Sequence, residues 1–354
     1  MQSLNGKEWE PRAIQEVFTI SPGKRLESRN REPGKRPFIG ALDNSNGVVQ
    51  FVSDTNESLD CNVLGVNYNG NGMGIGFYHP YECVFSDDVK RFHLKNTEDC
   101  KELALFTKAL IAKQRDKFGY LYKFNAKRMA ATSILLPVTA SGEPDYEYMA
   151  EYTRQKRNAM LAKYRAYVES RITELGEAVE IPALDEKEWA HFKMPQIFRL
   201  IQRGKRLKNA DHVFGTVPYV SSTANNNGVD DYIEATPGTR VFGDCISLAN
   251  SGSVGTAFYE PFDFVASDHV TALKTEGRSK YCHLFMTAVI EKQGSNFNFN
   301  REINDARIQN MQIMLPVTDS GEPDYEYMEQ YAKNMMLRKY QQYLTFLQQR
   351  SGAR

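Results

Sequence analysis

The sequence predicts an α+β fold made of two tandem domains of mixed α/β structure, each followed by a long helix. The two helices are expected to pack on each other. Three observations lead to this prediction. A thirteen-residue stretch occurs twice, at residues 137–149 and 316–328, and only Ala140 against Asp319 differs. A long segment with helical periodicity follows each copy, and shorter motifs precede each copy in the same order.

Length and composition fit a globular protein with two hydrophobic cores. The chain has 354 residues and a formal net charge of zero, which is mild evidence against a protein that grips nucleic acid unaided. No apolar run approaches membrane-spanning length, and the first residues contain no apolar segment of a signal peptide. The five cysteines form no CxxC pair, which favours reduced thiols over a disulfide framework or a zinc site. We therefore expect a cytoplasmic protein.

Each half of the chain runs through the same series of motifs. The paired motifs are KEW (residues 7–9 and 187–189), GKRL (23–26 and 204–207), an Asn-Gly-Val loop (46–48 and 227–229) and GFYHP with AFYEP (76–80 and 257–261). The offset between copies is 181 residues over most of this region and 179 at the repeated stretch. A repeat this long indicates a duplicated domain.

The repeat also sets the expected boundaries. The predicted segments are a first domain at residues 1–136, a first helical spacer at 137–180, a second domain at 181–315 and a second helical spacer at 316–354. Within each repeated stretch a Ser-Gly turn precedes Pro144 or Pro323, which suits the first helical position because that position needs no N–H. We expect helices from about residue 144 to 176 and from about residue 323 to 350.

Each long helix carries apolar residues at helical spacing. Those predicted at the coiled-coil interface are Met149, Tyr152, Met160, Tyr164 and Val168 in the first helix, and Met328, Tyr331, Met335, Tyr340, Leu344 and Leu347 in the second. Each stripe could pack on its own domain, or the two stripes could pack on each other. The length of the helices favours the second arrangement, because one small domain cannot cover a whole helix.

The sequence lacks a complete catalytic or metal-binding motif. The Pro-Asp pairs at residues 144–145 and 323–324 invite comparison with PD-(D/E)xK nucleases, but no (D/E)xK follows in strand context and a helix start explains both pairs. The alternating glycines of residues 70–76 form neither GxGxxG nor a P-loop. HExxH, GxSxG and the (D/N/S)PP(Y/F) of amino-methyltransferases are also absent. We expect no catalytic residue, metal ion or cofactor in this chain.

Basic residues cluster just before the Asn-rich loop of each half. With the loop asparagines, they are the candidate DNA-binding residues: Lys24, Arg25, Lys35, Arg36, Asn44 and Asn46 in the first half, and Arg203, Lys205, Arg206, Asn225, Asn226 and Asn227 in the second. Lys and Arg neutralise phosphates, while Asn and Arg read base edges in the major groove. A charge cluster is usually only a solvated face. Its recurrence at the same place in a duplicated domain favours contact with double-stranded DNA.

The whole order of motifs resembles a known family. It runs from GKRL through the PFIG or PYVS strand, the Asn-Gly-Val loop and GFYHP or AFYEP to LLPVTASGEPDYEYM and MLPVTDSGEPDYEYM. This order is similar to that of the specificity subunits of type I restriction-modification systems. Its size and the repeated stretch are also similar to the shorter recognition subunits of type IIB systems. The resemblance covers nearly the whole chain.

The resemblance implies that each globular unit is a target recognition domain that reads one half of a split, asymmetric DNA site. The two helices would form an antiparallel coiled coil that separates the two domains. Adenine methylation would belong to DNA adenine methyltransferase subunits that use S-adenosylmethionine. Cleavage would belong to a restriction nuclease subunit, or to a fused nuclease-methyltransferase, that uses Mg²⁺ with or without ATP. The family motif supplies no individual base-contacting residues, so the residues named above rest on charge and loop position.

Two functions of other classes stay open at this point. The chain could be a DNA-modifying enzyme by itself, in which case the purified chain alone would methylate or cut DNA. It could also be a protein scaffold that joins partners through its helices without base readout, which DNA binding without sequence preference would indicate.

Overall fold

The computed structural model of the chain describes residues 4–69, 72–119, 122–294 and 301–352. Gly70, the first of the alternating glycines considered above, lies outside these ranges. The chain divides into two compact units, Met1–Tyr164 and Arg165–Arg354. Within the described ranges, no helix combines the length and the apolar character needed to cross a membrane.

The first unit alternates strands with short helices and ends on a long helix. Its elements are β1 (Trp9–Ala13), α1 (Ile14–Val17), β2 (Phe18–Pro22), β3 (Pro33–Ile39), β4 (Val48–Val52), β5 (Val63–Asn67), β6 (Gly76–His79), β7 (Val84–Phe85), β8 (Val89–Leu94), α2 (Lys101–Ala112), α3 (Ala126–Ala131), β9 (Ser133–Pro137) and the first part of α4 (Tyr146–Leu175), whose residues from Arg165 onward belong to the second unit. Strands β2, β8, β5 and β6 form an antiparallel sheet in that order. Strands β4, β3 and β7 form a second sheet, in which β3 and β7 are parallel, and β1 pairs with β9.

The second unit repeats this arrangement. Its elements are β10 (Trp189–Lys193), α5 (Met194–Ile197), β11 (Leu200–Arg203), β12 (Phe214–Val220), β13 (Val229–Ile233), β14 (Val241–Phe242), β15 (Cys245–Ala249), β16 (Ala257–Glu260), β17 (Phe264–Ala266), β18 (Val270–Lys274), α6 (Lys280–Gly294), α7 (Asp305–Asn310), β19 (Gln312–Pro316) and α8 (Tyr325–Gly352). The sheet orders are β11-β18-β15-β16, β13-β12-β17-β14 and β10-β19. Apart from the two-residue β14, the order matches that of the first unit, which confirms the predicted pair of α+β domains, each followed by a long helix.

The first turn of each long helix belongs to the hydrophobic core of a unit. Phe92 of β8 and Met149 of α4 lie in one buried cluster of the first unit. Leu273 of β18 and Met328 of α8 lie in the corresponding cluster of the second. Both methionine side chains are fully buried, and burial of such a side chain stabilises the fold by roughly 1.5–3 kcal/mol.

The repeated stretch and the KEW triplet contact each other in both units. The Lys7 Nζ lies 2.5 Å from the Asp145 carboxylate, and the Lys187 Nζ lies 2.7 Å from that of Asp324. These four side chains are largely shielded from solvent. The KEW and PDYEYM motifs are therefore two sides of one structural contact, which explains why both recur in the sequence.

The helix starts differ from the prediction by two residues. α4 begins at Tyr146 and not at Pro144. Asp145 is the residue before the helix, and its carboxylate accepts the backbone N–H of Tyr148 at 2.9 Å. Asp324 caps α8 in the same way. The prediction that the two prolines take the first helical position was wrong, because an aspartate cap satisfies a free N–H of the first turn and so fixes the start one residue after it.

The end of α4 and the turn that follows lie in the second unit, where they run antiparallel to α8. α4 ends at Leu175, next to the left-handed Gly176 near which the end was predicted. The Tyr167 ring packs edge-on against Tyr340 with centroids 6.4 Å apart. Beyond the helix end, the Asn334 amide donates to the Val179 carbonyl at 2.7 Å. As the residue numbers rise from Tyr167 to Val179, those of their contacts on α8 fall from Tyr340 to Asn334, so the two segments run antiparallel.

Candidate nucleic-acid interface

Close backbone packing holds the GKRL segments in place. A Cβ on Gly23 would lie 2.0 Å from the Ser86 carbonyl oxygen, and a Cβ on Gly204 would lie 2.2 Å from that of Ser267. Only glycine fits such an approach. The motif glycine is therefore structural, and it fixes the place from which the following basic residues emerge.

The basic candidates of the first unit differ in how far the protein engages them. Lys24 forms a salt bridge with Glu57 at 2.5 Å. The Arg36 guanidinium donates to two backbone carbonyls just after β4, at 3.2 and 2.8 Å. Arg25 and Lys35 are exposed. Arg25 and Lys35 consequently present their charge to solvent more fully than Lys24 and Arg36 do.

The second unit shows the same division. Arg203 lies 3.2 Å from the Asp305 carboxylate, and the flanking Arg199 pairs with a glutamate of the β18–α6 loop. Lys205 and Arg206 are exposed. The two central residues of this GKRL motif thus face solvent.

The structure brings the basic segment next to the Asn-Gly loop within each unit. In the first unit, Arg25 and residues on both sides of the loop line one groove of about 790 Å³. The Ser86 N–H, beside the GKRL glycine, donates to the Ile39 carbonyl at the end of β3 at 2.8 Å. In the second unit, the Ser267 N–H donates to the Val220 carbonyl at 3.0 Å. In each unit the serine that packs on the GKRL glycine is therefore bonded to the strand that leads into the loop, although the two are far apart in sequence.

The two Asn-Gly loops share an unusual backbone. Residues 45–47 have φ angles of 49°, 54° and 74°, and residues 226–228 have φ angles of 49°, 58° and 76°. Glycine and asparagine adopt this left-handed region at the lowest cost. The Asn-Gly pair therefore allows the loop backbone to adopt this left-handed conformation in both units.

The middle asparagine of each loop is bonded to its own unit. The Asn46 amide donates to the Tyr81 hydroxyl at 2.9 Å, and the Asn227 amide donates to the Glu260 carboxylate at 3.0 Å. The donor groups of these two candidates are engaged within the protein. The candidates Asn44, Asn225 and Asn226 lie exposed in the same loops.

Exposed aromatic residues on the β3–β4 hairpin of the first unit and the β12–β13 hairpin of the second were missed by the sequence reasoning. Phe51 of β4 is 55% exposed, and Tyr232 at the equivalent position of β13 is 52% exposed. Phe214 at the start of β12 is 90% exposed. In the second unit, Tyr232, Asn226 and Asn227 line a groove of about 820 Å³. The available signal was an aromatic residue retained at one position of both repeats, although neighbouring positions differ.

A buried titratable residue lies beneath each loop. His79 ends β6 and Glu260 ends β16, and both side chains are fully buried. Burial lowers the pKa of His79 to about 4 and raises the pKa of Glu260 to about 7. Neither residue was among the candidates, although GFYHP and AFYEP differ at this position.

A separate charged cluster in the first unit stabilises the sheet. The His93 Nδ1 lies 2.7 Å from the Asp99 carboxylate, and its Nε2 lies 3.1 Å from that of Asp60. Arg91 also pairs with Asp60, at 2.9 Å. Although partial burial opposes ionisation, the two carboxylates raise the pKa of His93. All members of this cluster have partners, so it is a structural feature of the sheet around β8.

The predicted helix-interface residues fall into two groups. Those that pack on their own unit are Met149, Tyr152, Met328, Tyr331 and Met335. Further along the helices, Val168 is fully buried, and Tyr340 contacts Tyr167 as described above. Met160 and Tyr164 are 72% and 46% exposed, and Leu344 and Leu347 are half-buried. Packing on the domain thus accounts for the first turns of each stripe.

Metal-ligating side chains and free cysteine thiols are two kinds of group that could carry chemistry. In the part of the chain that the structure describes, no three His, Cys, Asp or Glu side chains are arranged to hold a metal ion. Burial raises the pKa of the Cys83 and Cys245 thiols to about 12. Both thiols are therefore protonated, and unreactive as nucleophiles, at neutral pH.

Comparison with known proteins gives two matches to one protein family and one partial match to a curated protein. The family described as type I restriction modification DNA specificity domain matches residues 6–163 and again residues 186–343. A stretch of 163 residues is 48% identical to the type II restriction enzyme BgcI specificity subunit S.BcgI of Heyndrickxia coagulans. That match covers 46% of this chain and 48% of the other, so the chain spans about half the length of the curated relative it matches.

Solved structures are similar over nearly the full length at low sequence identity. The type-I restriction-modification system S subunit from M. genitalium covers 99% of this chain and 94% of its own, with 15% identity and a TM-score of 0.48. The HsdS subunit from Thermoanaerobacter tengcongensis covers 96% and 91%, with 14% identity and a TM-score of 0.33. Because the family match spans most of the chain in two copies, the chain belongs to the type I restriction-modification DNA specificity domain family.

Proposed function

We propose that this chain is the sequence-specific DNA recognition subunit of a restriction-modification complex. Each unit reads one half of a bipartite, asymmetric site. The observation that carries the proposal is the double match to a DNA specificity domain family, at residues 6–163 and 186–343. The two units share a framework and differ at exposed positions of the hairpins, such as Val49 against Asp230, which suits two domains that read different sequences.

The exposed basic residues supply phosphate contacts in this proposal. Arg25 and Lys35 serve the first half-site, and Lys205 and Arg206 serve the second, since these side chains are exposed beside the loops. Lys24, Arg36 and Arg203 contribute less, because each must give up a partner within the protein before it can bind a phosphate.

Base contacts come from the exposed loop residues and from the hairpin faces. A two-stranded β-ribbon is narrow enough to enter the major groove of B-DNA, where each base pair presents a distinct pattern of donors, acceptors and methyl groups. Phe51 and Tyr232 stand on such ribbons at equivalent positions. Asn44, Asn225 and Asn226 stand at the ends of the same ribbons.

The long helices set the separation of the two half-sites and pair as an antiparallel coiled coil. The thirty residues of α4 correspond to about 45 Å at about 1.5 Å per residue. Since B-DNA rises about 3.4 Å per base pair, this length is something over one helical turn of DNA. The contact of Tyr167 with Tyr340 supports the antiparallel pairing.

Catalysis is supplied by partner subunits in the cytoplasm. DNA adenine methyltransferase subunits would use S-adenosylmethionine, and a restriction nuclease, separate or fused to the methyltransferase, would use Mg²⁺ with or without ATP. The family match supports this division of labour, and the segment that is 48% identical to a type II specificity subunit favours the shorter type IIB arrangement.

A methylation assay tests the proposal. The purified chain and a methyltransferase encoded beside it are incubated, separately and together, with labelled S-adenosylmethionine and DNA. We expect methylation at a single bipartite site only when both proteins are present. Label transfer by the chain alone, in proportion to its concentration, would identify an enzyme. DNA binding by the assembled complex without sequence preference would identify a scaffold instead.

A further inference from the structure

The loop of the second unit is bonded to a buried carboxylate. The Glu260 side chain is fully buried, and it accepts hydrogen bonds from the Ser247 hydroxyl at 2.9 Å and from the Asn227 amide at 3.0 Å. A buried carboxylate is costly without partners, and these two bonds offset part of that cost. Since Asn227 is the middle residue of the left-handed loop, the bond connects the loop directly to the end of β16.

The first unit fills the same place with different chemistry. His79 stands at the equivalent strand end, and its Nδ1 lies 3.4 Å from the hydroxyl of Tyr81, which in turn accepts the Asn46 amide at 2.9 Å. Gly65 stands where the second unit has its serine, and a Cβ there would lie 3.3 Å from the His79 Nε2. The larger imidazole is therefore matched by the absence of a side chain opposite it. Both units keep a connection from strand end to loop.

We propose that Glu260 and His79 are positioning residues for recognition. Glu260 holds Asn227 directly, and His79 acts on Asn46 through the Tyr81 hydroxyl, so that the exposed residues beside each asparagine are fixed. This inference rests on the proposed function, because it assigns those exposed residues to DNA. It adds that the second half-site depends on the ionisation of a buried carboxylate, whereas the first does not.

The two connections are expected to respond differently to pH. With a pKa near 7, Glu260 changes charge within the neutral range, whereas His79, with a pKa near 4, stays neutral there. Titratable groups that contact β16 itself include Cys245, opposite Glu260 on β15, Asp244, which accepts the Tyr259 hydroxyl, and His283 and Glu291 of α6, which contact Tyr259 and Ala257. Substitution of Glu260 alone distinguishes its effect from theirs.

The test uses the full chain assembled with its partner subunits. Affinity is measured at about pH 6 and about pH 8 for DNA with the intact site, an altered first half or an altered second half. We expect discrimination at the second half-site to be weaker at the lower pH, where the protonated carboxyl no longer offers both oxygens as acceptors. Discrimination at the first half-site, an internal control, should stay the same.

Two variants locate the effect. Glu260→Ala should reduce second-half discrimination by about tenfold, the size expected when a charge-assisted hydrogen bond is removed. Glu260→Gln, whose amide oxygen can still accept from Asn227, should retain most of the discrimination and lose its pH dependence. If Glu260→Ala does not fold, the pH profile of Glu260→Gln decides the question. A pH dependence that persists in Glu260→Gln overturns the inference.

Hydrogen exchange of residues 224–229 in the full chain gives a readout without DNA. Faster exchange in Glu260→Ala is expected if the carboxylate holds the loop. Unchanged exchange, or faster exchange with unchanged second-half discrimination, overturns the positioning role. The proposed function fails separately, if the wild-type complex shows no preference at either half-site.

Discussion

Lys7 and Asp145 are 138 residues apart in the sequence and 2.5 Å apart in the structure. The pair recurs as Lys187 and Asp324. Each aspartate also caps the long helix that follows it, so one carboxylate joins the first residues of a unit to the start of its helix. This contact fixes the orientation of the start of each helix on its own unit. The proposed role of the helices in setting the distance between the half-sites requires such a fixed orientation.

Asp145→Ala should lower the free energy of unfolding by about 1–2 kcal/mol, because it removes a helix cap and a partly buried salt bridge together. Asp145→Asn should cost less, since asparagine is also a good cap. Asp319→Ala is the matched control, because the first copy of the repeat carries Ala140 at that position. Urea unfolding measures the three values. A decrease in Asp319→Ala as large as in Asp145→Ala would contradict this account.

The same contact should show in the pH dependence of stability. Although burial opposes ionisation, Lys7 and the Tyr148 N–H lower the pKa of Asp145. A carboxyl with a lowered folded pKa contributes stability that is present above its unfolded pKa, near 4, and is lost as the pH falls through the folded value. The stability difference between wild type and Asp145→Asn should therefore shrink on acidification below about pH 4. A difference that grows there would rule out the ionised pair as its source.

The exposed lysine and arginine of the second GKRL motif should govern the salt dependence of DNA binding. Lys205→Ala with Arg206→Ala should weaken binding of the assembled complex to all sequences. It should also reduce the slope of log K against log salt by about one unit for each phosphate that the protein no longer neutralises.

Arg199→Ala is the control for this prediction, because Arg199 lies in the same basic cluster but pairs with Glu276. It should change the slope less. The comparison is made by fluorescence titration over a range of salt concentrations. An unchanged slope in the double variant would remove the phosphate assignment, and a preference that disappears at one half-site alone would assign these residues to base contacts.

The aromatic residues of the hairpins should act on one half-site each. Phe51→Ala should reduce discrimination at the first half-site and Tyr232→Ala at the second, by about 1–3 kcal/mol if each contacts a base edge. Leu135→Ala is a suitable control, since Leu135 is 55% exposed on β9, in a different sheet from the hairpin. Competition binding with altered half-sites measures the effect. Equal reductions at both halves for either variant would contradict separate reading.

The duplicated fold could be predicted from the sequence because the repeat is strong and its signals are local. The left-handed Asn-Gly turn and the glycine after α4 follow from backbone sterics, which the sequence shows directly. The helix starts were placed too early because proline and aspartate both suit a helix start. Only the hydrogen bond from the Tyr148 N–H shows that Asp145 is the cap.

The packing and hydrogen-bond partners of the candidate residues could not be predicted, because these partners come from distant parts of the chain. An apolar stripe does not tell what covers it, and Met149 and Met328 are covered by their own domains. Similarly, Asn46 and Asn227 have the chemistry of base-reading residues, but Tyr81 and Glu260 take their amide donors. The difference between His79 and Glu260 was visible in the two copies of the repeat. Only the structure shows that both side chains are buried, which is what shifts their pKa values.

The central claim, that each unit reads its own half of the DNA site, is tested most directly by exchanging one unit. Residues 9–137 should be replaced together by the corresponding segment of a relative with a different site, because Trp9 of β1 pairs with Pro137 of β9. The positions methylated by the reassembled complex are then mapped by sequencing. The account predicts a site in which one half has the relative's sequence, while the other half and the gap remain unchanged. Changes in both halves, or retention of the original site, would contradict it.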